Sequence, residues 1–206
     1  MKKHGVILAN GSYPESGIPL GYLNAAEKII CCDGAVVKLV QKGMEPWAIV
    51  GDLDSVPVEL EAKYSDRLYR DDDQDTNDLT KAVRFAIGEG FESIVILGAT
   101  GVREDHTIGN ISLLTEYARF IEVIMVTDFG IFIPLFSGTK VSCIPGQQVS
   151  VFSPATGSGI RSHGLKYPLD NLSLENWWMG TLNEATGESI SLEFDGNDPV
   201  LVYLAF

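Results

Sequence analysis

Five short apolar runs recur through the first 127 residues of this 206-residue chain: Gly5 to Ala9, Lys28 to Cys32, Ala48 to Val50, Ser93 to Leu97 and Glu122 to Val126. Each is bounded by Gly, Asp or Asn, and amphipathic stretches lie between them. The clearest stretch is Asp78 to Gly88, where Leu79, Ala82, Val83, Ala86 and Ile87 return at helical spacing. A second runs from His106 to Phe120, with Ile108, Ile111, Leu114 and Ala118 on one side. Strands that are apolar throughout, with no alternation, need cover on both faces. That is the condition of a parallel sheet flanked by helices. Residues 1–127 are therefore expected to form an α/β, Rossmann-like domain.

From about Asp128 the texture changes. Gly130 to Phe136, Lys140 to Ile144, Gln148 to Phe152, Ser189 to Phe194 and Val200 to Ala205 read as short strands. Ser-Gly, Pro-Gly, Thr-Gly-Ser-Gly and Asp-Gly-Asn-Asp-Pro turns separate them, and no useful helical period remains. Frequent turns between short strands indicate a small all-β sandwich over residues 128–206.

The net charge is −13, from 15 basic and 28 acidic residues. Nucleic acids and anionic membranes need clustered Lys and Arg, so neither is an expected partner. A nucleotide would be repelled unless a divalent cation bridged it to carboxylates. A cationic small molecule would be attracted. The longest apolar runs are far too short to span a bilayer. Met1-Lys2-Lys3-His4 leads into a strand with no h-region or cleavage site, so no signal peptide is expected. Cys31, Cys32 and Cys143 have no metal-ligand spacing and read as buried, reduced thiols of a cytoplasmic protein.

The chemistry-bearing residues fall at the ends of the predicted strands, which is where open α/β sheets bind ligands. Gly51-Asp52-Leu53-Asp54-Ser55 follows Trp47 to Val50. In extended chain Asp52 and Asp54 would share one face, as two oxygen ligands of one hard cation require. Asp33-Gly34 follows the second run, and its glycine would let backbone approach a ligand. Asp71 to Asp78 carries more acids than helix capping needs, and Asp78, fixed in a helix's first turn, is the preferred ligand among them. Asp71 and Asp72 are assigned to solvated loop. In Gly98 to His106, the glycines can present N–H groups to phosphate near a helix N-terminus. Arg103 can fork onto phosphate oxygens, and Asp105 can orient Arg103 or contact metal. His106 reads first as a structural histidine.

Together these segments resemble thiamine pyrophosphokinases, and the resemblance continues through Asn110 and Gly164-Leu165-Lys166-Tyr167-Pro168-Leu169. It implies an α/β domain plus a β-sandwich, working as a homodimer with its active site near the subunit interface. It also implies transfer of pyrophosphate from ATP to thiamine with Mg2+. By this resemblance Asp52, Asp54 and Asp78 match the metal-binding acids, and Asp78, Arg103 and Asp105 are the catalytic candidates. Gln74, Tyr167 and Asn183 match substrate-contacting positions. Asp33, Gly34, Gly98, Thr100, Gly101, His106 and Asn110 are expected around the nucleotide. Two positions depart from the family pattern: Asn77 stands where Thr is common, and Leu182 precedes Asn183 where Ser is usual. Trp177-Trp178 could add an aromatic platform for a cationic ring. Other readings of the same residues are a D-x-D glycosyltransferase, an aspartyl-phosphate hydrolase acting through Asp52, and a thiamine- or nucleotide-binding sensor without catalysis.

Overall fold

The structure, a computed structural model, describes residues 3–153 and 159–206. It divides into two compact units. The first comprises the chain up to Ile111 together with Phe120–Asp128, and the second comprises Ser112–Arg119 with Phe129–Phe206.

The strands of the first unit are β1 (His4–Leu8), β2 (Ile29–Cys32), β3 (Ala48–Gly51), β4 (Leu68–Arg70), β5 (Ser93–Leu97) and β6 (Glu122–Val126). They lie in the order β6-β5-β1-β2-β3-β4, and every neighbouring pair is parallel. All four residues of β2, and all four of β3, are buried, as a sheet covered on both faces demands. Each Ile and Val among them contributes about 1.5–3 kcal/mol of burial. The helices are α1 (Gly17–Ala25), α2 (Ala35–Gln41), α3 (Val58–Lys63), α4 (Asp78–Gly88) and α5 (Glu104–Tyr117). Among the described residues no helix is long and apolar enough to cross a membrane.

The α4 helix has the span its apolar period predicts. It buries Leu79, Ala82, Val83 and Ala86, and the Asn77 side chain caps it by accepting from the Thr80 N–H at 2.9 Å. The α5 helix differs from its expectation. It starts at Glu104, two residues before His106, and ends at Tyr117. Leu114 and Tyr117 are buried, whereas Ile108 is 55% exposed and so leaves the stripe assigned to it. Three helices and β4 carry no clear sequence signal. The α1 helix has glycines at 17 and 21 and buries only Pro19 and Leu23. The β-branched Val36-Val37 of α2 favours strand as a local preference, α3 buries nothing, and β4 is a short, open edge.

The second unit is built from β7 (Gly130–Leu135), β8 (Lys140–Ser142), β9 (Gln148–Phe152), β10 (Arg161–His163), β11 (Asn183–Glu184), β12 (Ser189–Glu193) and β13 (Val200–Ala205). Within it β11-β9-β13-β7 pair antiparallel, and β10-β12-β8 form a second antiparallel sheet. Leu135, Val149, Val151, Ile160, Ile190, Leu192 and Val202 fill the core. A 3-10 turn at Trp177–Gly180 is the one helical element after Asp128 among the described residues. The Thr-Gly-Ser-Gly turn signal lies, up to residue 158, outside the described residues.

Replacing the α4 cap, Asn77→Ala, is expected to cost about 1 kcal/mol. That would lower Tm by about 2–4 °C in a chain of this size. Asn77→Ser should retain most of the stability. Thermal unfolding of the two variants side by side checks this.

Candidate active site

Strand order reverses at β1. From there the chain steps outward through β2, β3 and β4, and then returns to place β5 on the other side. The crevice of an open α/β sheet forms at such a point, because the two flanking loops diverge there. Here the loops are joined at their base. The Gly11 N–H donates to the Gly98 carbonyl at 2.7 Å, and the Ser12 N–H donates to the Thr100 carbonyl at 2.8 Å. Lys38 fastens the first loop further, donating to the Asn10 and Gly11 carbonyls at 3.0 and 2.6 Å. A cavity of about 500 Å³ opens beside them. Its lining includes Asn10, Asp33, Asp52, Asp54, Gln74 and Asp78 from one side and Thr100, Arg103, His106 and Asn110 from the other.

Asp52 and Asp54 do converge, though extended-chain alternation is not the cause. The β3 strand ends at Gly51, and Leu53 takes a left-handed conformation (φ 67°) with its side chain 5% exposed. That costs of order 1–3 kcal/mol and turns the neighbouring acids onto one point. Asp33, at φ 42°, joins them from the end of β2. Carboxylate oxygens of Asp33, Asp52 and Asp54 all lie within 4.8 Å of one another. Gly51 makes this approach feasible, since a Cβ there would stand 3.0 Å from the Asp33 Cβ and 3.2 Å from Asp78 Oδ1.

The donor set suits a hard divalent cation. All three ligands are carboxylate oxygens, and Asp33, 5% exposed, has its Oδ1 buried without a hydrogen-bond partner. Burial raises the Asp33 carboxyl above its usual range. Hydrogen bonds from Ser55 and the Gly34 N–H pull it down, and the charges of Asp78 and Asp52 raise it further. Asp78, expected as the third ligand, lines the same cavity beside the three-carboxylate group. Its Oδ1 accepts from Lys81 Nζ at 3.2 Å, and the Lys81 side chain is only 3% exposed. Burial pulls the Lys81 ammonium down, and the carboxylates of Asp78, Asp52 and Asp71 more than reverse this, leaving it raised.

The acidic run before α4 is mostly structural. Asp73 takes the Asp75 N–H at 2.9 Å, the Thr76 hydroxyl at 2.9 Å and Arg84 at 3.3 Å. Asp71 accepts from the Asp73 N–H at 3.1 Å, and Asp72 pairs with Arg70 at 3.3 Å. On the opposite wall Arg103 forks onto Asp105, with Nε to Oδ1 at 3.1 Å and Nη2 to Oδ2 at 2.5 Å. The Arg103 bond and the His106 N–H hold the Asp105 carboxyl down to about 2. A carboxylate so committed orients Arg103 and is a poor proton acceptor. Asn110 links the two walls, donating to the Ala99 carbonyl at 2.8 Å and accepting from the Asn77 side chain at 3.2 Å. The loop glycines act through conformation. Gly98 (φ 66°) would drive a Cβ into the Ala9 carbonyl, and the Gly101 N–H, expected to face phosphate, donates to Thr107 Oγ1 at 3.3 Å. Gly34 packs against Asn10 and Ser55.

In the second unit Asn183 is buried, and its amide clamps the backbone of Tyr167. Its Oδ1 accepts from the Tyr167 N–H at 3.1 Å, and its Nδ2 donates to the Tyr167 carbonyl at 2.7 Å. The Tyr167 ring is 62% exposed. Leu182 takes a left-handed conformation (φ 58°). Trp177 and Trp178 are both exposed, and Trp177 meets Phe152 edge-on at 6.1 Å.

Two family models match the chain in tandem: thiamin pyrophosphokinase, catalytic domain, over residues 20–125, and thiamin pyrophosphokinase, substrate-binding domain, over residues 130–203. The chain belongs to the thiamin pyrophosphokinase family. Thiamin pyrophosphokinase 1 of Caenorhabditis elegans is 27% identical over 208 residues, covering 86% of this chain and 82% of that one. Thiamine pyrophosphokinase 1 of Oryza sativa subsp. japonica is 29% identical over 174 residues, covering 77% and 66%. Among solved structures, thiamine pyrophosphokinase from Bacillus subtilis superposes with a TM-score of 0.79 at 23% identity, covering 98% of each chain. The Candida albicans structure gives 0.77 at 19%, covering 100% and 93%. The fold is therefore that of the family from end to end.

Sequence reasoning missed Lys81, Asn10 and Gly11 in the lining of this cavity. Lys81 lies among the apolar positions of the helix, three residues after Asp78, and that spacing was the available signal.

Removing the Asp33 charge should stabilise the cation-free protein. Asn also suits the left-handed backbone there. Asp33→Asn is expected to gain about 0.5–2 kcal/mol, or several degrees in Tm. A raised carboxyl means the fold prefers the protonated form. The gain is therefore full at neutral pH and shrinks as pH falls through the Asp33 pKa. Calorimetric unfolding at neutral and mildly acidic pH checks both sign and trend; a less stable variant at neutral pH contradicts the reading.

Proposed function

We infer that this chain is a thiamine pyrophosphokinase, transferring the pyrophosphoryl group of ATP to the hydroxyl of thiamine and releasing AMP and thiamine diphosphate. The convergence of Asp33, Asp52 and Asp54 at the ends of β2 and β3, in a chain matched by both family domains, is the observation that carries it. We assign transfer and nucleotide binding to the α/β unit, and thiamine recognition and dimerisation to the β unit. A homodimer in the cytoplasm, with no nucleic-acid or membrane partner, is the setting we propose.

Mg2+ would be held by Asp33, Asp52 and Asp54, with Asp78 on the same cavity wall, and when bound it would neutralise phosphate charge. The protein's own part is positioning and electrostatics, since this class of transfer needs little covalent chemistry. The Arg103 guanidinium, preset by Asp105, takes up charge on the transferring group. Thr100, His106 and Asn110 surround the nucleotide, while Gly34, Gly98 and Gly101 give the loops their course. With both Asp105 oxygens committed to Arg103, and Asp78 bonded to Lys81 through Oδ1 alone, Asp78 is the carboxylate we assign to receive the hydroxyl proton. Gln74 contacts substrate from the cavity, and Asn183 serves by holding Tyr167, whose exposed ring offers its face to the cationic thiazolium.

Purified protein given Mg2+, ATP and thiamine should form AMP and thiamine diphosphate in equal amounts. Arg103→Ala should lower kcat by about 10²–10³-fold, and Arg103→Lys should restore little of it, because the fork is lost. ADP in place of AMP would exclude pyrophosphoryl transfer. Tight thiamine binding with no AMP formed would favour a sensor.

A further inference from the structure

Lys81 is the one buried side-chain cation among the described residues, at 3% exposure. It lines the same cavity as Asp33, Asp52, Asp54 and Asp78. A buried ammonium is costly unless it is paired, and its partner is Asp78, one helical turn away at 3.2 Å. Asp78 is itself half-buried and stands against Gly51 at the root of the acid cluster. Asp52 and Asp71 lie near enough to act on the same ammonium. Arg103, the other cation of the cavity, is exposed and forked onto Asp105, so Lys81 is the fixed positive charge on the acidic wall.

We propose that Lys81 is a positioning residue of the transfer site: its ammonium locks the Asp78 carboxylate in place and offsets part of the negative field of the acid cluster, setting how tightly a divalent cation is held. The inference rests on the function proposed above and adds a residue to its machinery. Four carboxylates without Lys81 would bind a divalent cation more tightly and hold Asp78 less well. An enzyme that must release its cation with product gains nothing from that extra tightness.

Lys81→Met removes the charge and nearly keeps the shape. Titration calorimetry with Mn2+ alone should show the variant binding about tenfold more tightly than the parent protein, from loss of one charge within the cluster's field. Lys81→Arg, which keeps the charge, should return the affinity to within about threefold of the parent. In the coupled assay, kcat of Lys81→Met should fall at least tenfold while KM for ATP stays within about threefold. Circular dichroism and thermal unfolding confirm that each variant is folded. Should Met not be accepted, Lys81→Gln is expected to move affinity and kcat in the same directions by smaller factors. Unchanged or weaker Mn2+ binding in a folded variant overturns the proposal. So does a raised KM for ATP at unchanged kcat, which would make Lys81 a phosphate contact. Failure of the parent protein to form thiamine diphosphate counts against the reaction, whereas equal Mn2+ affinity in parent and variant counts against Lys81.

Discussion

Carboxylates held within a few ångströms of each other repel, and the α/β unit is arranged around that repulsion. Asp33 and Asp52 are carried to the same edge by β2 and β3, whose burial fixes them. Leu53, in its left-handed turn, then brings Asp54 alongside. The energy that opposes this gathering is met in two ways: Lys81 lies against Asp78, and the raised Asp33 carboxyl resists ionising. What remains is an acidic wall facing a cavity whose far side carries Arg103, so a cation and an anionic phosphate chain have complementary surfaces on one crevice.

Much of this was legible in the sequence. Apolar runs at β2, β3 and β5 need two covered faces, and that requirement is written in composition alone. The spacing of Leu79, Ala82, Val83 and Ala86 gives α4 to the residue. Asp52 and Asp54 stand out because acids directly after an apolar strand have few structural uses. The missed elements are those whose residues express no burial pattern: α3 buries nothing, and α1 is interrupted by glycine. Asp33's place beside Asp52 is likewise invisible. It depends on the pairing of β2 with β3, which sets residues 18 positions apart side by side, such as Cys31 with Ile49.

The acidic run before α4 shows that composition alone does not assign a role. Its density of carboxylates exceeds what capping needs, and Asp71, Asp72 and Asp73 are spent on turns and on Arg70 and Arg84, in keeping with the loop role read for Asp71 and Asp72. In the β unit the Asn183 amide, which the family resemblance marks for a substrate contact, holds the Tyr167 backbone. Both cases separate residues that touch a ligand from residues that keep another group in position, a distinction that needs coordinates.

Asp33, Asp52 and Asp54, just past the ends of β2 and β3, form the proposed cation site. Crystals grown with Mn2+ and examined by anomalous scattering test it directly. A peak is expected within coordination distance, about 2.0–2.3 Å for a small oxygen-liganded divalent ion, of oxygens from these three side chains. A peak held by the Asp71 to Asp75 segment, with none at Asp33, would contradict it.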